Sequence, residues 1–146
     1  MHKIYIVDDE MVFCTAVSEV LTILGYEVRV FYDATRAYNF FVSDSFVTSE
    51  SIVLLDVTLS GGSDDERFGE SQTKNFAITG KVLAETLLEK GIFPEGLARR
   101  LVLYTANYTS GIWPDLEVFS QNRRVRLWRK RAIPKLDEIV SLVQEV

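Results

Sequence analysis

At 146 residues, 47% of them hydrophobic and 25% charged, the chain is long enough to bury one core without disulfides or a structural metal. It lacks the apolar depletion that marks disorder. Its formal charge of -5 argues against the chain as a whole lying on a nucleic-acid backbone, which asks for a positive face.

Ile4 to Val7 is a short apolar run that stops at Asp8, Asp9 and Glu10, the pattern of a buried parallel strand whose carboxyl end meets acids. Before it there is no cationic lead and long apolar stretch of a signal peptide, and no apolar run anywhere approaches membrane-spanning length. The expectation is an unanchored, cytoplasmic protein. From Met11 to Leu24 the period changes to three and four, with Val12, Ala16 and Val20 beside Phe13, Val17, Leu21 and Leu24. That spacing predicts an amphipathic helix stopped by Gly25. The single cysteine, Cys14, lies inside this stripe, so no intramolecular disulfide forms and burial is expected over reactivity.

Glu27 to Tyr32 brings Val28 and Val30 to one face of a second strand, after which Asp33 caps a helix carrying Ala37, Phe40 and Phe41. Ser51 to Leu55 is a third strand ending at Asp56. Residues 60–78 hold glycines, acids, Ser and Thr with little periodicity, so they predict a long exposed loop inserted into a single domain spanning 1–146. Helical spacing returns with Val82, Leu83, Leu87 and Leu88, with Thr79 as the expected cap and Gly91 as the stop. Arg100 to Thr105 reads as a fourth strand, Asp115 to Ser120 as a short helix, and Val125 to Arg129 as a fifth strand. Pro134 then suits the first turn of a final helix striped by Leu136, Ile139, Val140 and Val143.

Strands alternating with helices imply an α/β fold, a flavodoxin-like doubly wound (βα)5 sandwich with a five-stranded parallel sheet in the order 2-1-3-4-5. In such sheets ligands sit beyond the carboxyl ends of the strands, where the winding reverses between strands one and three. Asp8 and Asp9 end the first strand and Asp56 ends the third, so three carboxylates converge at that mouth. Like charges so close repel, and the cluster persists only with a cation or with raised pKa values. An oxygen-rich site suits Mg2+, which takes one or two carboxylates, keeps several waters and meets phosphate.

The order Val7-Asp8-Asp9-Glu10, Leu54-Leu55-Asp56-Val57, Tyr104-Thr105-Ala106 and a late basic residue resembles the response-regulator receiver domains of two-component signalling, over nearly the whole chain. The resemblance implies that Asp56 takes a phosphoryl group from phosphohistidine, in a self-catalysed Mg2+-dependent step that is not conventional enzyme turnover. It implies that Asp9 binds Mg2+ directly, that Asp8 acts mainly through a bound water, and that the backbone carbonyl of Thr58 is a further ligand. Thr105 is then the switch hydroxyl, Lys130 the cation paired with the phosphoryl group, and Thr58 and Asn107 flank the attack path. Ala106 is small enough to leave the acceptor accessible.

The chain departs from the family where Lys130 is followed by Arg131 instead of proline, so Arg129 or Arg131 remain alternatives for the lysine position. Counting back from Lys130 puts Leu127 at the aromatic switch of strand five, although Trp128 fits by chemistry. Ser60 replaces the proline common after the acceptor strand, and the loop after it exceeds the family norm by about a helix's worth of residues. Surface insertions of that kind are thermodynamically cheap.

The run Arg123, Arg124, Arg126, Arg129, Lys130, Arg131 is read as a solvated edge strand or a protein interface before a nucleic-acid patch. His2 reads as a solvated terminal residue, and Trp113 and Trp128 as packing. The implied partners are a histidine kinase or histidine phosphotransfer protein and an unknown downstream protein. Neither direct nucleic-acid nor membrane binding is expected, and a homodimer is left open. No output domain is expected after the last helix. Two other functions compete: a degenerate receiver acting as a phosphorylation-independent interaction module, and a phosphohydrolase of the haloacid dehalogenase kind. The second needs another aspartate two residues after the nucleophile, where Thr58 stands.

Overall fold

The computed structural model describes residues 3–43, 50–106, 111–129 and 136–144. His2, Asn107, Lys130, Arg131 and Pro134 lie outside them. Five strands form one parallel sheet: β1 (Lys3–Val7), β2 (Glu27–Phe31), β3 (Ser51–Asp56), β4 (Leu101–Thr105) and β5 (Arg126–Arg129). Their order is β2-β1-β3-β4-β5, the flavodoxin-like arrangement expected from the alternation of elements. β1, β3 and β4 are the near-continuous apolar runs because neighbours flank them on both edges and helices cover both faces.

Alternation along these strands sends Tyr5, Val7, Val53, Leu55, Leu101 and Leu103 to one face. There they meet α2 (Ala34–Ser43), α5 (Thr79–Glu89) and α6 (Ile112–Arg123) through residues such as Phe41, Leu83, Leu87, Leu116 and Phe119. Ile4, Ile6, Ile52, Leu54, Val102 and Tyr104 point the other way. They pack on Phe13, Cys14, Val17 and Leu21 of α1 (Met11–Ile23) and on Ile139 and Val143 of α7 (Leu136–Gln144). Cys14 is buried as expected. No helix among the described residues is long and apolar enough to cross a membrane.

Several boundaries follow the local chemistry. Gly25 ends the turn after α1 at φ 92° and Gly91 the turn after α5 at φ 68°, positions that favour a residue without Cβ. Asp33 caps α2, its Oδ1 accepting from the Arg36 N–H at 2.8 Å. Thr79, by contrast, is the first residue of α5 and makes no cap bond; Ile78 holds the cap position. The helix expected over Asp115 to Ser120 runs from Ile112 to Arg123, with Pro114 in its first turn. A short 3-10 helix (Glu95–Arg100) leads into β4 and takes Arg100 out of the strand.

The largest departure is the insertion, expected as a loop exposed throughout. It carries two short helices, α3 (Asp65–Phe68) and α4 (Glu70–Thr73), and Phe68 is wholly buried. The physical reason is docking rather than periodicity. Phe68 meets the Tyr38 ring of α2 edge-on at 5.9 Å, and Arg67 lies over that ring at 4.6 Å. The Thr35 N–H donates to the Gly61 carbonyl at 3.0 Å, and Thr35 Oγ1 accepts from the Asp64 N–H at 2.9 Å. Lys74, Asn75 and Phe76 then turn the chain back in left-handed geometry at φ 51°, 56° and 65°.

Candidate functional site

Each of the three acids is placed by the end of a strand, and Asp8 and Asp9 also accept from donors far away in the chain. The Asp8 N–H continues the β1–β2 ladder by donating to the Phe31 carbonyl at 3.0 Å. Asp8 itself is fully buried. Its Oδ1 accepts from the Glu10 N–H at 2.9 Å, which turns the chain into α1, and its Oδ2 accepts from the Tyr104 hydroxyl at 2.8 Å. Asp9 is exposed, and its Oδ2 accepts from the Ser60 N–H at 3.1 Å. Asp56 is 6% exposed, and its Oδ1 accepts from the Thr58 N–H at 3.2 Å.

Carboxylate oxygens of Asp8, Asp9 and Asp56 all lie within 4.8 Å of one another. Two unit charges about 4 Å apart repel by roughly 4 kcal/mol at an effective dielectric near 20, against about 1 kcal/mol in water. Backbone N–H groups and one phenol offset part of that, and a divalent cation would offset more. A set made only of oxygen donors, with two acids buried and one open to solvent, fits Mg2+ by its chemistry.

Tyr104 is buried between these acids and the core. Burial pushes its phenol well above the ordinary value, and the neighbouring carboxylates of Asp8 and Asp56 and the bond to Asp8 push it the same way. It therefore remains a donor. Its ring packs against Phe13 of α1 at 5.5 Å and Trp128 of β5 at 5.7 Å. The backbone around Asp56 is equally constrained. The Val57 N–H donates to the Tyr104 carbonyl at 2.9 Å, and the Gly80 N–H to the Val57 carbonyl at 3.0 Å. Gly80, the second residue of α5, lies directly against Asp56, where a Cβ would run into its carbonyl oxygen.

Of the other residues singled out in the sequence, Thr105 is fully buried at the end of β4, one residue past Tyr104, the register partner of Asp56. Ala106 and Thr58 are exposed, and Thr58 Oγ1 donates to the Ala77 carbonyl at 3.3 Å. Arg129 pairs in register with Thr105; Lys130, Arg131 and Asn107 fall outside the described residues. Alternation along β5 sends its two candidate side chains to opposite faces of the sheet. Trp128 packs on the α1 and α7 side, while Leu127 faces the core shared with α6.

Three participants escaped sequence reasoning. A tyrosine in the buried run Leu-Val-Leu-Tyr was a usable signal for Tyr104, because a buried hydroxyl needs a partner. A glycine at the start of a helix hinted at Gly80. The Ser60 backbone N–H had its signal in the replaced proline, which would have no N–H to donate.

No protein-family model matches the chain, and no curated protein matches it. Solved structures do. The chain is similar to the chemotaxis protein CheY4 of Vibrio cholerae, with a TM-score of 0.69 and 16% identity over 100% of this chain and 98% of that one. It is similar to a CheY-like response regulator receiver domain protein from Methanospirillum hungatei (TM-score 0.65, 20% identity, 99% and 95% of the two chains). It is also similar to the response regulator TrrA from Thermotoga maritima, solved in complex with Mg2+-BeF (TM-score 0.61, 22% identity, 98% and 99%). At these identities the likeness is one of fold: the described architecture is that of response-regulator receiver domains.

Proposed function

We propose that this chain, folded as a receiver domain, accepts a phosphoryl group from phosphohistidine on Asp56 with Mg2+ and signals through protein-protein interaction. The observation that carries the reading is the convergence of Asp8, Asp9 and Asp56 oxygens within 4.8 Å at the carboxyl ends of two adjacent central strands. Asp8, Asp9, Asp56 and the Thr58 backbone carbonyl would hold Mg2+. When bound, the ion supplies charge neutralisation for the transferring phosphoryl group.

The chain's own residues do the rest. An Asp56 carboxylate oxygen forms the bond to phosphorus as the phosphorus-nitrogen bond to the donor imidazole breaks, the electron pair staying on the ring nitrogen. Because the transition state is loose, positioning and electrostatics count for more than proton transfer. The Thr58 N–H, 3.2 Å from Asp56 Oδ1, orients the nucleophile. Thr105, buried beside the acceptor strand, is the hydroxyl that would bond a phosphoryl oxygen. Lys130 is assigned the charge-assisted contact to the phosphoryl group, with Arg129 and Arg131 as substitutes for the same role. The phosphohistidine donor assigned to this step is a cytoplasmic histidine kinase or phosphotransfer protein.

One observation favours a second reading, a degenerate receiver serving as a phosphorylation-independent interaction module. Leu127, not an aromatic residue, occupies the β5 position on the α6 side, and Trp128 is committed to the opposite core. Incubation with acetyl phosphate and Mg2+ separates the two. The switch predicts a mass gain of one phosphoryl group that Asp56→Asn abolishes; an unmodified wild-type protein favours the module.

A further inference from the structure

Asp8 is held by the protein at both ends of its carboxylate. It is fully buried and both its oxygens accept from protein donors, the Glu10 N–H at 2.9 Å on Oδ1 and the Tyr104 hydroxyl at 2.8 Å on Oδ2. The backbone bond is local and forms whenever the chain turns into α1. The phenol comes from 96 positions away in the sequence, on a strand separated from β1 by β3. Its ring is wedged between Phe13 and Trp128, so the hydroxyl has little freedom to follow a moving carboxylate.

A carboxylate held at both oxygens contributes its charge to a nearby cation and accepts bonds from the cation's water shell. It is poorly placed to swing inward and coordinate with two oxygens. The distinction matters because Mg2+ and Ca2+ ask for different things. Mg2+ demands near-octahedral geometry, sheds water reluctantly and is satisfied by one or two carboxylates, whereas Ca2+ takes six to eight oxygens and accepts bidentate carboxylates in flexible arrangements.

Resting on the metal site proposed above, we infer that Tyr104 is a positioning residue that sets the ion preference of the acid cluster: by anchoring Asp8 Oδ2 it withholds the extra carboxylate oxygens that Ca2+ would use and keeps the site suited to Mg2+. Partners that orient metal ligands from behind change affinity by about 10- to 100-fold when removed, so an effect of this kind is measurable.

The test uses the full chain, with dissociation constants for Mg2+ and Ca2+ measured by isothermal titration calorimetry on the wild type and Tyr104→Phe. The ring and its contacts with Phe13 and Trp128 remain in that variant; only the hydroxyl is lost. The ratio of the two constants is expected to shift toward Ca2+ by about tenfold. A merely structural role would weaken both ions together and leave the ratio unchanged, and that result overturns the inference.

Asp8→Asn and the double variant Tyr104→Phe/Asp8→Asn complete the cycle. If Tyr104 acts through the Asp8 carboxylate, removing its hydroxyl has no further effect on the ratio once residue 8 is Asn. An equal shift in both backgrounds contradicts the assignment. Should Tyr104→Phe fail to fold, Phe13→Leu, which keeps the hydroxyl but loosens the wedge that fixes its ring, decides: a ratio shifted toward Ca2+ supports the role of the fixed phenol, and a wild-type ratio opposes it. Absence of saturable Mg2+ binding in the wild type would defeat the metal-site reading itself, an outcome distinct from an unchanged ratio.

Discussion

Gly80 has less room to change than any acid in the site. A Cβ there would strike the Asp56 carbonyl oxygen and lie 2.8 Å from its carbonyl carbon and 2.9 Å from Val57 Cα. All three are backbone atoms that no rotamer change can move. In an open helix position, glycine to alanine gains about 1 kcal/mol from helix propensity; here the collision outweighs it. Gly80→Ala is therefore expected to destabilise the protein by about 1–3 kcal/mol, the range for overpacked cores, and to slow acetyl phosphate labelling of Asp56 by displacing its backbone. Urea unfolding and labelling rate by mass spectrometry check both. Asp8, Asp9 and Asp56 were legible because each ends an apolar run, and a charge at that point in a buried strand needs a reason. Gly80 and Tyr104 were not, because their constraints come from atoms 24 and 96 positions distant.

Among the elements, the insertion is the one whose character changed most between pattern and structure. Its residues lack period because two four-residue helices are too short to show one, and its anchor is a single aromatic. Phe68 is wholly buried and seated on Tyr38. Phe68→Ala is expected to cost about 3–5 kcal/mol if the surrounding packing cannot collapse. The measurable signature is local: hydrogen exchange should accelerate over residues 61–78 and at the start of α2, whose Ala34 and Thr35 N–H groups bond Ser60 and Gly61. The central strands should keep their protection. Uniform loss of protection across the sheet would mean that the insertion is part of the folding core rather than a unit docked on it. The site has a stake in this element, since Ser60 and Ala77, near its two ends, bond Asp9 and Thr58.

For the molecule as a whole, three acids drawn together in a chain of net charge -5 set self-repulsion against folding. A cation that binds the folded chain and not the unfolded one reverses part of that penalty by mass action. At an ion concentration about 100 times its dissociation constant the gain is about 2.7 kcal/mol, which in a domain of this size raises the melting temperature by several degrees. Thermal melts with Mg2+ and with EDTA are expected to differ by that amount in the wild type and to coincide in Asp9→Asn, whose exposed carboxylate is the proposed direct ligand. Coincident wild-type melts would leave the acid cluster without the ion that the proposed function needs.

The order of elements, the apolar strands and the position of the three acids at strand ends were determined by the sequence itself. Periodicity is a local property, and a parallel sheet with helices on both faces leaves few other ways to bury such runs. Tertiary structure alone decided that Trp128 turns toward α1 and α7 while Leu127 faces α6, that Tyr104 reaches Asp8, and that residues 60–78 dock on α2. Each of these depends on strand register and on packing between segments far apart in the chain, and the amino-acid pattern around a residue carries no information about which distant atom will lie against it.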